Sequence, residues 1–402
     1  MDTGELKIEW ARQHMPVLSR VSKFVAEKGG LGGRKIAVCL HLEAKTANLC
    51  LALQEAGAQV FAAASNPLST QDEVVAALRR RGIEVYARRG ASMEEYFKDI
   101  DRLVDVKPHL VIDDGADLIV RLHERCPHST PVLGACEETT TGITRVRKLE
   151  RSGRLLFPVI GVNDARSKRL FDNRYGTGQS VIDGIVRTTN LLLAGKRVVV
   201  LGFGWCGRGV ASRARGMGAQ VIVCEVDPVK ANEALMEGYY VMPSLKAAQV
   251  GDIFVTLTGC IQVLGPEHFK LMKDGAILCN AGHFDVEIAV QHMRETATSR
   301  RVVRPGIEEL QMPWGKRIYL LGEGRLVNLV CGDGHPVEIM DMSFALQLLC
   351  VWFVHTAHAQ LPPKLMAVPE ELDLKVASLR LEALGIEIDS LSEEQRSYLG
   401  VT

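Results

Sequence analysis

Three glycines at a predicted strand end could hold a phosphate group. Gly202, Gly204 and Gly207 follow the predicted strand 197–201, which is apolar from 198 to 201, in the pattern G-x-G-x-x-G. The first glycine permits a tight turn, the second lets a pyrophosphate approach the backbone, and the third lets the next helix pack closely. Glu225 ends the following strand, where an acid would bind a ribose hydroxyl and favour NAD over NADP. The pattern predicts a dinucleotide site; a glycine-rich turn without a ligand is the alternative.

Polar side chains fall at the ends of several predicted strands in the first half of the chain. His41, Asn66 and Asp114 hold such positions, and Glu138 follows another strand end within residues 137–142. Ligands of parallel α/β sheets bind outside the carboxyl ends of the strands. Buried acids are costly there without a polar partner, so the pattern predicts a polar ligand. A helix start that merely carries capping residues is the alternative.

Lys168 and Asp172 are four residues apart in a predicted helix, so they share one face. As an exposed pair they would contribute only about a few tenths of a kcal/mol. Beside a bound cofactor, the lysine could instead act as a base.

Alternating strand and helix patterns position these residues. Strand patterns cover 35–42, 59–64, 84–87, 110–112, 132–136, 157–162, 197–201, 220–224, 252–258 and 276–280, with a hairpin at 317–329. Helix patterns cover 5–28, 46–56, 73–80, 93–106, 180–193 and 208–216, and a long helix follows Pro336. The predicted fold is α/β, with two doubly wound parallel-sheet domains and a small helical C-terminal tail. The predicted limits are 1–178 completed by 334–368 for the substrate domain, 179–333 for the Rossmann NAD domain and 369–402 for the tail.

Composition narrows the class of protein. The 402 residues are 47% hydrophobic and 24% charged with zero net charge, which argues against broad binding of nucleic acid or anionic membrane. The longest apolar run, 344–354, is shorter than the ~18 residues of a membrane span and predicts a buried helix. The first residues do not resemble a secretory signal. Ten cysteines without C-x-x-C pairs predict free thiols in the cytoplasm and no metal site.

A series of short motifs runs in order along almost the whole chain. They lie at 41–46, 66–72, 113–117, 137–142, 162–164, 168–173, 258–260, 280–285, 324–328 and 334–335. With these motifs the chain resembles the S-adenosyl-L-homocysteine hydrolases, in the short archaeal and bacterial form that includes S-inosyl-L-homocysteine hydrolases.

The resemblance implies reversible cleavage of a nucleoside thioether to homocysteine and a nucleoside, with a tightly held NAD. Oxidation of the 3′-hydroxyl would acidify the 4′ hydrogen, so that the thiolate leaves, water adds and the ketone is reduced again. Closure of the two domains would keep water and reduced cofactor from leaking. Lys168 would serve the 3′-hydroxyl, for which its pKa would need lowering by an apolar closed site.

The resemblance also assigns roles by position. The implied catalytic residues are His41, Asp114, Glu138, Lys168, Asp172 and His283. Within that set, Glu138 and Asp172 would hold ribose hydroxyls, Asp114 and His41 would handle the 4′ proton and leaving sulfur, and His283 would assist at water or the 3′ oxygen. The implied substrate-binding residues are Glu43, Lys45, Thr46, Ser69 and His335, with His335 over the base. The implied NAD-binding residues are Thr139, Thr140, Thr141, Asn173, Gly202, Gly204, Gly207, Glu225, Asn280 and Asn328.

The chain departs from adenosyl-specific relatives near the expected base site. Those relatives resemble His-x-Thr-x-Glu/Gln, whereas this chain has Glu43 and Lys45, which exchange donor and acceptor at both positions. Hypoxanthine makes the same exchange, so Glu43 would accept from N1–H and Lys45 would donate to O6. The hypothesis is that S-inosyl-L-homocysteine is accepted or preferred. In the alternative, the two side chains pair with other residues and the backbone recognises adenine.

Two further departures concern the cofactor and assembly. The chain ends at Thr402 without the Lys and Tyr that reach a neighbouring subunit's NAD in longer relatives, and Thr177 replaces a cysteine near the nicotinamide. The resemblance nevertheless implies a homo-oligomer, a tetramer built from dimers. An ordinary NAD dehydrogenase and a non-catalytic regulatory relative are the competing interpretations.

Overall fold

Apolar runs of the sequence form the strands of two sheets. The computed structural model describes residues 2–126, 128 and 130–400, so Met1, Pro127, Ser129, Val401 and Thr402 lie outside the described residues of the predicted first domain and tail. The strands are β1 (Lys35–Leu40), β2 (Gln59–Ala64), β3 (Glu84–Tyr86), β4 (Leu110–Asp113), β5 (Gly134–Glu137), β6 (Val159–Gly161), β7 (Arg197–Leu201), β8 (Gln220–Cys224), β9 (Tyr240–Val241), β10 (Ile253–Thr256), β11 (Ala276–Asn280), β12 (Ser299–Arg304), β13 (Ile307–Gln311), β14 (Arg317–Leu321) and β15 (Leu365–Ala367).

The first sheet has the strand order β15-β6-β5-β4-β1-β2-β3, and all of its pairings are parallel. Its order reverses between β1 and β4, which pair with Cys39 opposite Asp113. Such a switch point opens a crevice at the carboxyl ends of the strands. His41 and Asp114 follow the two strands that border this crevice.

The second sheet has the order β12-β13-β14-β11-β10-β7-β8-β9. Strands β7 to β11 and β14 pair in parallel, whereas β12 and β13 add an antiparallel edge. The order reverses between β7 and β10, and the glycine turn follows β7. Two parallel-rich sheets covered by helices confirm the α/β prediction.

Helices connect the strands and cover both sheets. They are α1 (Thr3–Gln13), α2 (Pro16–Glu27), α3 (Ala44–Glu55), α4 (Asp72–Arg80), α5 (Met93–Asp105), α6 (Asp117–Arg125), α7 (Thr140–Arg151), α8 (Thr177–Thr189), α9 (Trp205–Gly216), α10 (Pro228–Met236), α11 (Ser244–Val250), α12 (Pro266–Leu271), α13 (Val290–Thr296), α14 (Val327–Val330), α15 (Val337–Ala357), α16 (Glu370–Ala383) and α17 (Glu393–Leu399). A π-helix, Lys168–Gly176, runs directly into α8.

Two predicted elements were wrong. The single helix at 5–28 is two helices, because Pro16 lacks an N–H donor and holds Met15 out of the helical conformation. The hairpin at 317–329 does not form: β14 ends at Leu321, a 3₁₀ turn follows, and residues 327–330 are helical. Strand β14 pairs with β13 instead. The neighbouring β12 is exposed along its whole length, so it carries no apolar alternation that would mark it as a strand.

Helix α15 packs at the centre of the part of the molecule that is built on the first sheet. It packs on α2 and α3, on β4 and β5 and on the π-helix. Within the described residues, Val337–Gln360 is the one helical stretch long and apolar enough to cross a membrane, but 67% of its most apolar window is buried inside the protein. Burial by sheet and helices accounts for its apolar composition.

The helices that join the two sheets touch through glycines. A Cβ at Gly209 of α9 would lie 1.8 Å from the carbonyl oxygen of Arg174, and one at Gly178 would lie 2.6 Å from the Gly209 backbone. Side chains are excluded at both positions, so the π-helix and α8 pack directly on α9. Strand β15 returns to the first sheet beside β6. The predicted domain limits stay a prediction.

Candidate active site

Three side chains meet at the switch point of the first sheet. His41 Nε2 lies 3.5 Å from Asp114 Oδ2, and His283 Nδ1 lies 3.3 Å from Asp114 Oδ1. His283 comes from the second sheet and packs over Gly115, where a Cβ would lie 2.2 Å from its ring nitrogen. Gly115 has φ +100°, so both its conformation and its contact favour glycine. The sequence predicted His41, Asp114 and His283, and the structure brings them together.

The hydrogen bonds of Ser69 determine the tautomer of His41. The Ser69 hydroxyl lies 3.0 Å from the Asn66 carbonyl oxygen and 2.7 Å from His41 Nδ1. A carbonyl cannot donate, so both contacts are satisfied when the hydroxyl donates to Asn66 and accepts from Nδ1–H. Burial lowers the pKa of His41 and favours the neutral ring. Its Nε2 lone pair then faces Asp114, so a relay between the two groups requires one proton shared by Nε2 and the carboxylate. The donor atoms of this trio also lie within 4.8 Å of one another, which is a spacing that a metal ion could bridge.

Lys168 is buried beneath the second cluster of acids. Its Nζ donates to Asn173 Oδ1 at 2.9 Å, and it lies 3.2 Å from Glu138 Oε1 and 3.5 Å from Asp172 Oδ1. Asn173 Nδ2 donates in turn to Asn163 Oδ1 at 3.0 Å. The predicted residues Glu138, Lys168, Asp172 and Asn173 therefore form one connected group.

The π-helix accounts for one of these contacts. In an α-helix, side chains four residues apart share a face, as the sequence analysis assumed for Lys168 and Asp172. The wider π turn bonds residues five apart, and it places Asn173 beside Lys168 as well. The π geometry was not predicted, although such turns recur at functional sites.

The expectation of a lowered lysine pKa was wrong. Burial alone would lower the pKa of Lys168, but the carboxylates of Asp172 and Glu138 outweigh burial and raise it above its ordinary value. Burial has the opposite effect on a carboxyl group, and it raises the pKa of Glu138 to about 7. For Asp172 the effect of burial is reversed by the charge of Lys168 and by the hydrogen bond from His335, which hold its pKa well below its usual range. The group therefore rests with a charged lysine.

Three buried residues near this cluster were missed. Ser343 Oγ donates to Asp172 Oδ2 at 2.6 Å, and Gln347 Nε2 donates to Glu138 Oε2. Asp373 of α16 accepts from the backbone N–H of Arg166 at 2.7 Å, directly before the π-helix. Polar residues four apart in the apolar helix α15 were the available signal for Ser343 and Gln347. No local pattern marked Asp373.

Glu43 and Lys45 pair with each other at the start of α3. Glu43 Oε2 lies 2.7 Å from Lys45 Nζ, and Glu43 also accepts from the backbone N–H of Lys45 at 3.0 Å and of Thr46 at 3.2 Å. Thr46 Oγ1 makes a fourth contact with Glu43 at 3.3 Å, so all its acceptor positions are engaged. Lys45 Nζ also donates to the Asp333 carbonyl at 2.6 Å. Lys45 therefore keeps one donor for a ligand.

His335 contacts the lysine cluster. Its Nδ1 lies 2.8 Å from Asp172 Oδ1, and its Nε2 lies 3.2 Å from Thr177 Oγ1. A Cβ at Gly176 would lie 3.0 Å from the same ring. The predicted place of His335 over a base stays a prediction, whereas its contact with Asp172 was not foreseen.

The glycine turn fits a dinucleotide. Gly202 has φ +101°, and a Cβ at Gly207 would lie 2.0 Å from the Gly202 carbonyl oxygen. A Cβ at Gly204 would meet nothing within 4 Å, so there is open space at the amino end of α9, where a pyrophosphate fits. Asn328 Oδ1 is buried and has no hydrogen-bond partner among the described residues, an acceptor that a bound cofactor would satisfy.

Two other predicted NAD residues, Glu225 and Asn280, hold loops at strand ends of the second sheet. Glu225 accepts from the backbone N–H of Phe203 at 2.7 Å, which ties the second strand end to the glycine turn. Asn280 is fully buried, accepts from Thr256 Oγ1 at 2.9 Å and donates to the Phe284 carbonyl. Asn280 therefore shapes the loop before His283.

The three predicted threonines follow the carboxyl end of β5 in the first sheet. Thr139 caps α7, and Thr139 Oγ1 donates to Glu137 Oε1 at 2.8 Å. Thr140 is exposed and accepts from Asn163, and Thr141 Oγ1 lies 4.0 Å from a Cβ built at Gly259. Glu137, which belongs to the predicted polar segment 137–142 but had no role of its own there, is fully buried and also accepts from the Gly115 N–H at 2.9 Å. Its position directly before the predicted Glu138 was the signal for it.

Comparison with known proteins gives matches along almost the whole chain. Residues 173–334 match the S-adenosyl-L-homocysteine hydrolase NAD binding domain, and residues 1–133 match S-adenosyl-L-homocysteine hydrolase. An adenosylhomocysteinase of Thermococcus kodakarensis is 55% identical over 398 residues, 99% of this chain and 94% of the relative. An S-inosyl-L-homocysteine hydrolase of Methanocaldococcus jannaschii is 54% identical over 98% of this chain and 95% of its own. An adenosylhomocysteinase of Aquifex aeolicus is 53% identical over 99% and 96%.

Fold and matches together define an NAD-dependent hydrolase built on two parallel-rich sheets covered by helices. The chain belongs to the S-adenosyl-L-homocysteine hydrolase family. As a member it is a thioether hydrolase with NAD as its cofactor.

Proposed function

We propose that this enzyme reversibly hydrolyses purine nucleoside thioethers of homocysteine, with His41, Asp114, Glu138, Lys168, Asp172 and His283 as its acid–base groups. The observation that carries the proposal is the joining of two proton-handling clusters at neighbouring strand ends, Asp114 with two histidines and Lys168 with two carboxylates. NAD, held by the glycine turn together with Thr139 to Thr141, Asn173, Glu225, Asn280 and Asn328, supplies reversible hydride transfer at the 3′ carbon when bound.

The two clusters divide the proton transfers between them. Lys168 takes and returns the proton of the 3′-hydroxyl, and Glu138 and Asp172 orient the ribose hydroxyls. Asp114 and His41 move the proton at the 4′ carbon and protonate the leaving sulfur. The neutral His41 ring, with its lone pair toward Asp114, supports this role. His283 covers the cluster from the second sheet and serves the attacking water or the 3′ oxygen.

The test uses purified holoenzyme with each thioether. Release of homocysteine thiol over many turnovers, with at most one reduced cofactor per active site, is the expected result. An ordinary dehydrogenase would instead release reduced cofactor in step with substrate. A non-catalytic relative would bind the thioether without releasing thiol. Either of those outcomes contradicts the proposal.

We also propose that the inosyl thioether is accepted in preference to the adenosyl one. Support comes from Lys45, which keeps a donor beyond its contacts to Glu43 and Asp333, and a donor suits the O6 of hypoxanthine rather than the 6-amino group of adenine. Glu43 would receive N1–H only by giving up one existing contact, and the weakest is its 3.3 Å contact with Thr46 Oγ1. Thr46, Ser69 and His335 complete the proposed substrate site.

Assembly and location complete the proposal. We place the enzyme in the cytoplasm as a homo-oligomer, a tetramer as the family resemblance implied. Apolar side chains exposed near the C-terminal end, including Ile386, Ile388 and Leu391, are suited to contact another subunit. Light scattering of the purified enzyme measures the assembly, and a monomer at micromolar concentration contradicts it.

A further inference from the structure

Two polar side chains of α15 hold the carboxylates that flank Lys168. Ser343 Oγ donates to Asp172 Oδ2 at 2.6 Å, and Gln347 Nε2 donates to Glu138 Oε2. Lys168 faces the other oxygen of each carboxylate, Glu138 Oε1 and Asp172 Oδ1. Each carboxylate is therefore held between the lysine and one residue of α15.

The side-chain amide of Gln347 has an unused hydrogen-bond acceptor. Gln347 is fully buried, and its Oε1 has no hydrogen-bond partner among the described residues. While Nε2 donates to Glu138 Oε2, a proton on Oε1 of the same carboxyl leaves that contact intact, because Oε2 remains an acceptor. If the proton is on Oε2, the amide can turn and accept it with its free oxygen. The side chain therefore suits both protonation states of Glu138, whereas an unpaired buried amide atom is otherwise costly.

Lys168 needs a proton-accepting partner within its cluster. Lys168 must be neutral to accept a hydroxyl proton, yet its acidic neighbours raise its pKa. Glu138 lies 3.2 Å from its ammonium, and burial raises the pKa of Glu138 to about 7. Among the groups that face Glu138, Asp172 is held ionised by Lys168 and burial keeps the Cys136 thiol protonated. Asp114 is the remaining charged neighbour.

We propose that Gln347 is a positioning residue that holds Glu138 ready to take the surplus proton of Lys168. One proton passes from Nζ to Oε1, so that an ammonium and a carboxylate become an amine and a carboxylic acid, and no electrons move. The amine then accepts the 3′-hydroxyl proton of the nucleoside and regains its charge. This inference rests on the proposed function and adds the origin of the neutral lysine.

The test is the pH dependence of cofactor reduction in holoenzyme mixed with inosine. Reduction should rise with pH along a limb that reports the ionisation of Glu138. Gln347→Met removes the donor at similar size, so the limb should move up by about one to two pH units, with about a ten- to hundredfold lower rate below it. Gln347→Glu places a second carboxyl beside Glu138, and the limb should move in the same direction. The KM for the thioether should change less than about twofold in both variants.

Leu349→Ala provides the matched control, since Leu349 is fully buried on the same helix and packs in the apolar core. It should leave the limb in place even if the melting temperature falls. A Gln347→Met profile that is lower at every pH with an unmoved limb would show a merely structural role and overturn the inference. A wild-type holoenzyme that reduces its cofactor with inosine but cleaves neither thioether would instead overturn the proposed function.

Discussion

His283 Nδ1 lies 3.3 Å from Asp114 Oδ1, although the two residues follow strands of different sheets. His41 contacts the other oxygen of the same carboxylate at 3.5 Å. One acid therefore connects the crevice of the first sheet with a loop of the second.

Asp114→Asn should separate the two halves of the reaction. The amide keeps the shape of the side chain but cannot accept a proton, so thiol release should fall by about 10² to 10⁴. Reduction of bound cofactor by a nucleoside should persist, because the Lys168 cluster is untouched. Stopped-flow absorbance of the reduced cofactor and a thiol assay measure the two halves. Equal losses in both would contradict the division of roles; Asp274→Asn, in an exposed pair with Arg317, is the control.

The double substitution Glu43→Thr with Lys45→Gln should reverse the purine preference. The wild type is expected to show a higher kcat/KM for the inosyl thioether, and the variant should shift the ratio toward the adenosyl thioether by about tenfold or more. The reason is the exchange of donor and acceptor at both positions. Steady-state kinetics on both thioethers give the ratio. An adenosyl preference in the wild type would contradict the proposal; Lys230→Gln, on the surface, should change nothing.

Two glycine substitutions should separate cofactor binding from folding. Gly204→Ala adds a Cβ that meets no protein atom within 4 Å, so the melting temperature of the NAD-free protein should stay close to that of the wild type. Its NAD affinity should fall by about tenfold or more, because the methyl group occupies the space of the pyrophosphate. Gly207→Ala meets the Gly202 carbonyl at 2.0 Å and should lower both affinity and melting temperature. Calorimetry with NAD measures the affinities, and unchanged NAD binding by Gly204→Ala would contradict the assignment.

The pH dependence of stability should report Asp341 of α15. Burial raises the pKa of this carboxyl to about 6, although it accepts from the backbone N–H of Val17 and Leu18. Between about pH 4 and 6 the folded protein binds a proton that the unfolded chain lacks, so its stabilising effect is present at low pH and is lost as pH rises.

Asp341→Asn removes this titration. The difference in melting temperature between wild type and variant should therefore favour the wild type most at about pH 4 and shrink as the pH rises through 6 toward 7, with about 1.4 kcal/mol of unfolding free energy for each unit of pKa shift. Scanning calorimetry across this range measures the difference. A difference independent of pH would show that Asp341 has an ordinary pKa.

Most of the fold followed from local patterns. The strands Gln59–Ala64, Arg197–Leu201, Gln220–Cys224 and Ala276–Asn280 have the predicted bounds, because short apolar runs between turn signals mark buried parallel strands. Two features were not predicted, and the reasons differ. Strand β12 is exposed, so no apolar alternation marks it. The break before Pro16 lies inside a continuous helical pattern that covers 5–28.

The site was predicted less completely. Site residues at strand ends, such as His41 and Asp114, could be predicted because parallel sheets place ligands there. The direction in which the Lys168 pKa shifts could not be predicted, since it depends on how close two carboxylates come in space. Ser343, Gln347 and Asp373 lie about 170 or more residues from their partners, a pairing that only the folded chain displays. Glu43 pairs with Lys45, and Lys45 also binds the Asp333 carbonyl. These contacts agree with the alternative that the two side chains pair within the protein, and they leave open whether the backbone recognises adenine.

Helix α9 packs on the π-helix and on α8 through backbone atoms, and this contact limits which parts of the molecule can move separately. Backbone packed on backbone at Gly178 and Gly209 leaves no soft side chain that could yield, so Lys168 and the glycine turn belong to one rigid unit. The contacts that can part are longer or single ones, Asp114 with His283 and Lys45 with the Asp333 carbonyl. We therefore expect the alignment of Lys168 with the glycine turn to persist through the reaction, and the contacts across the crevice to part and form again when substrate enters and product leaves.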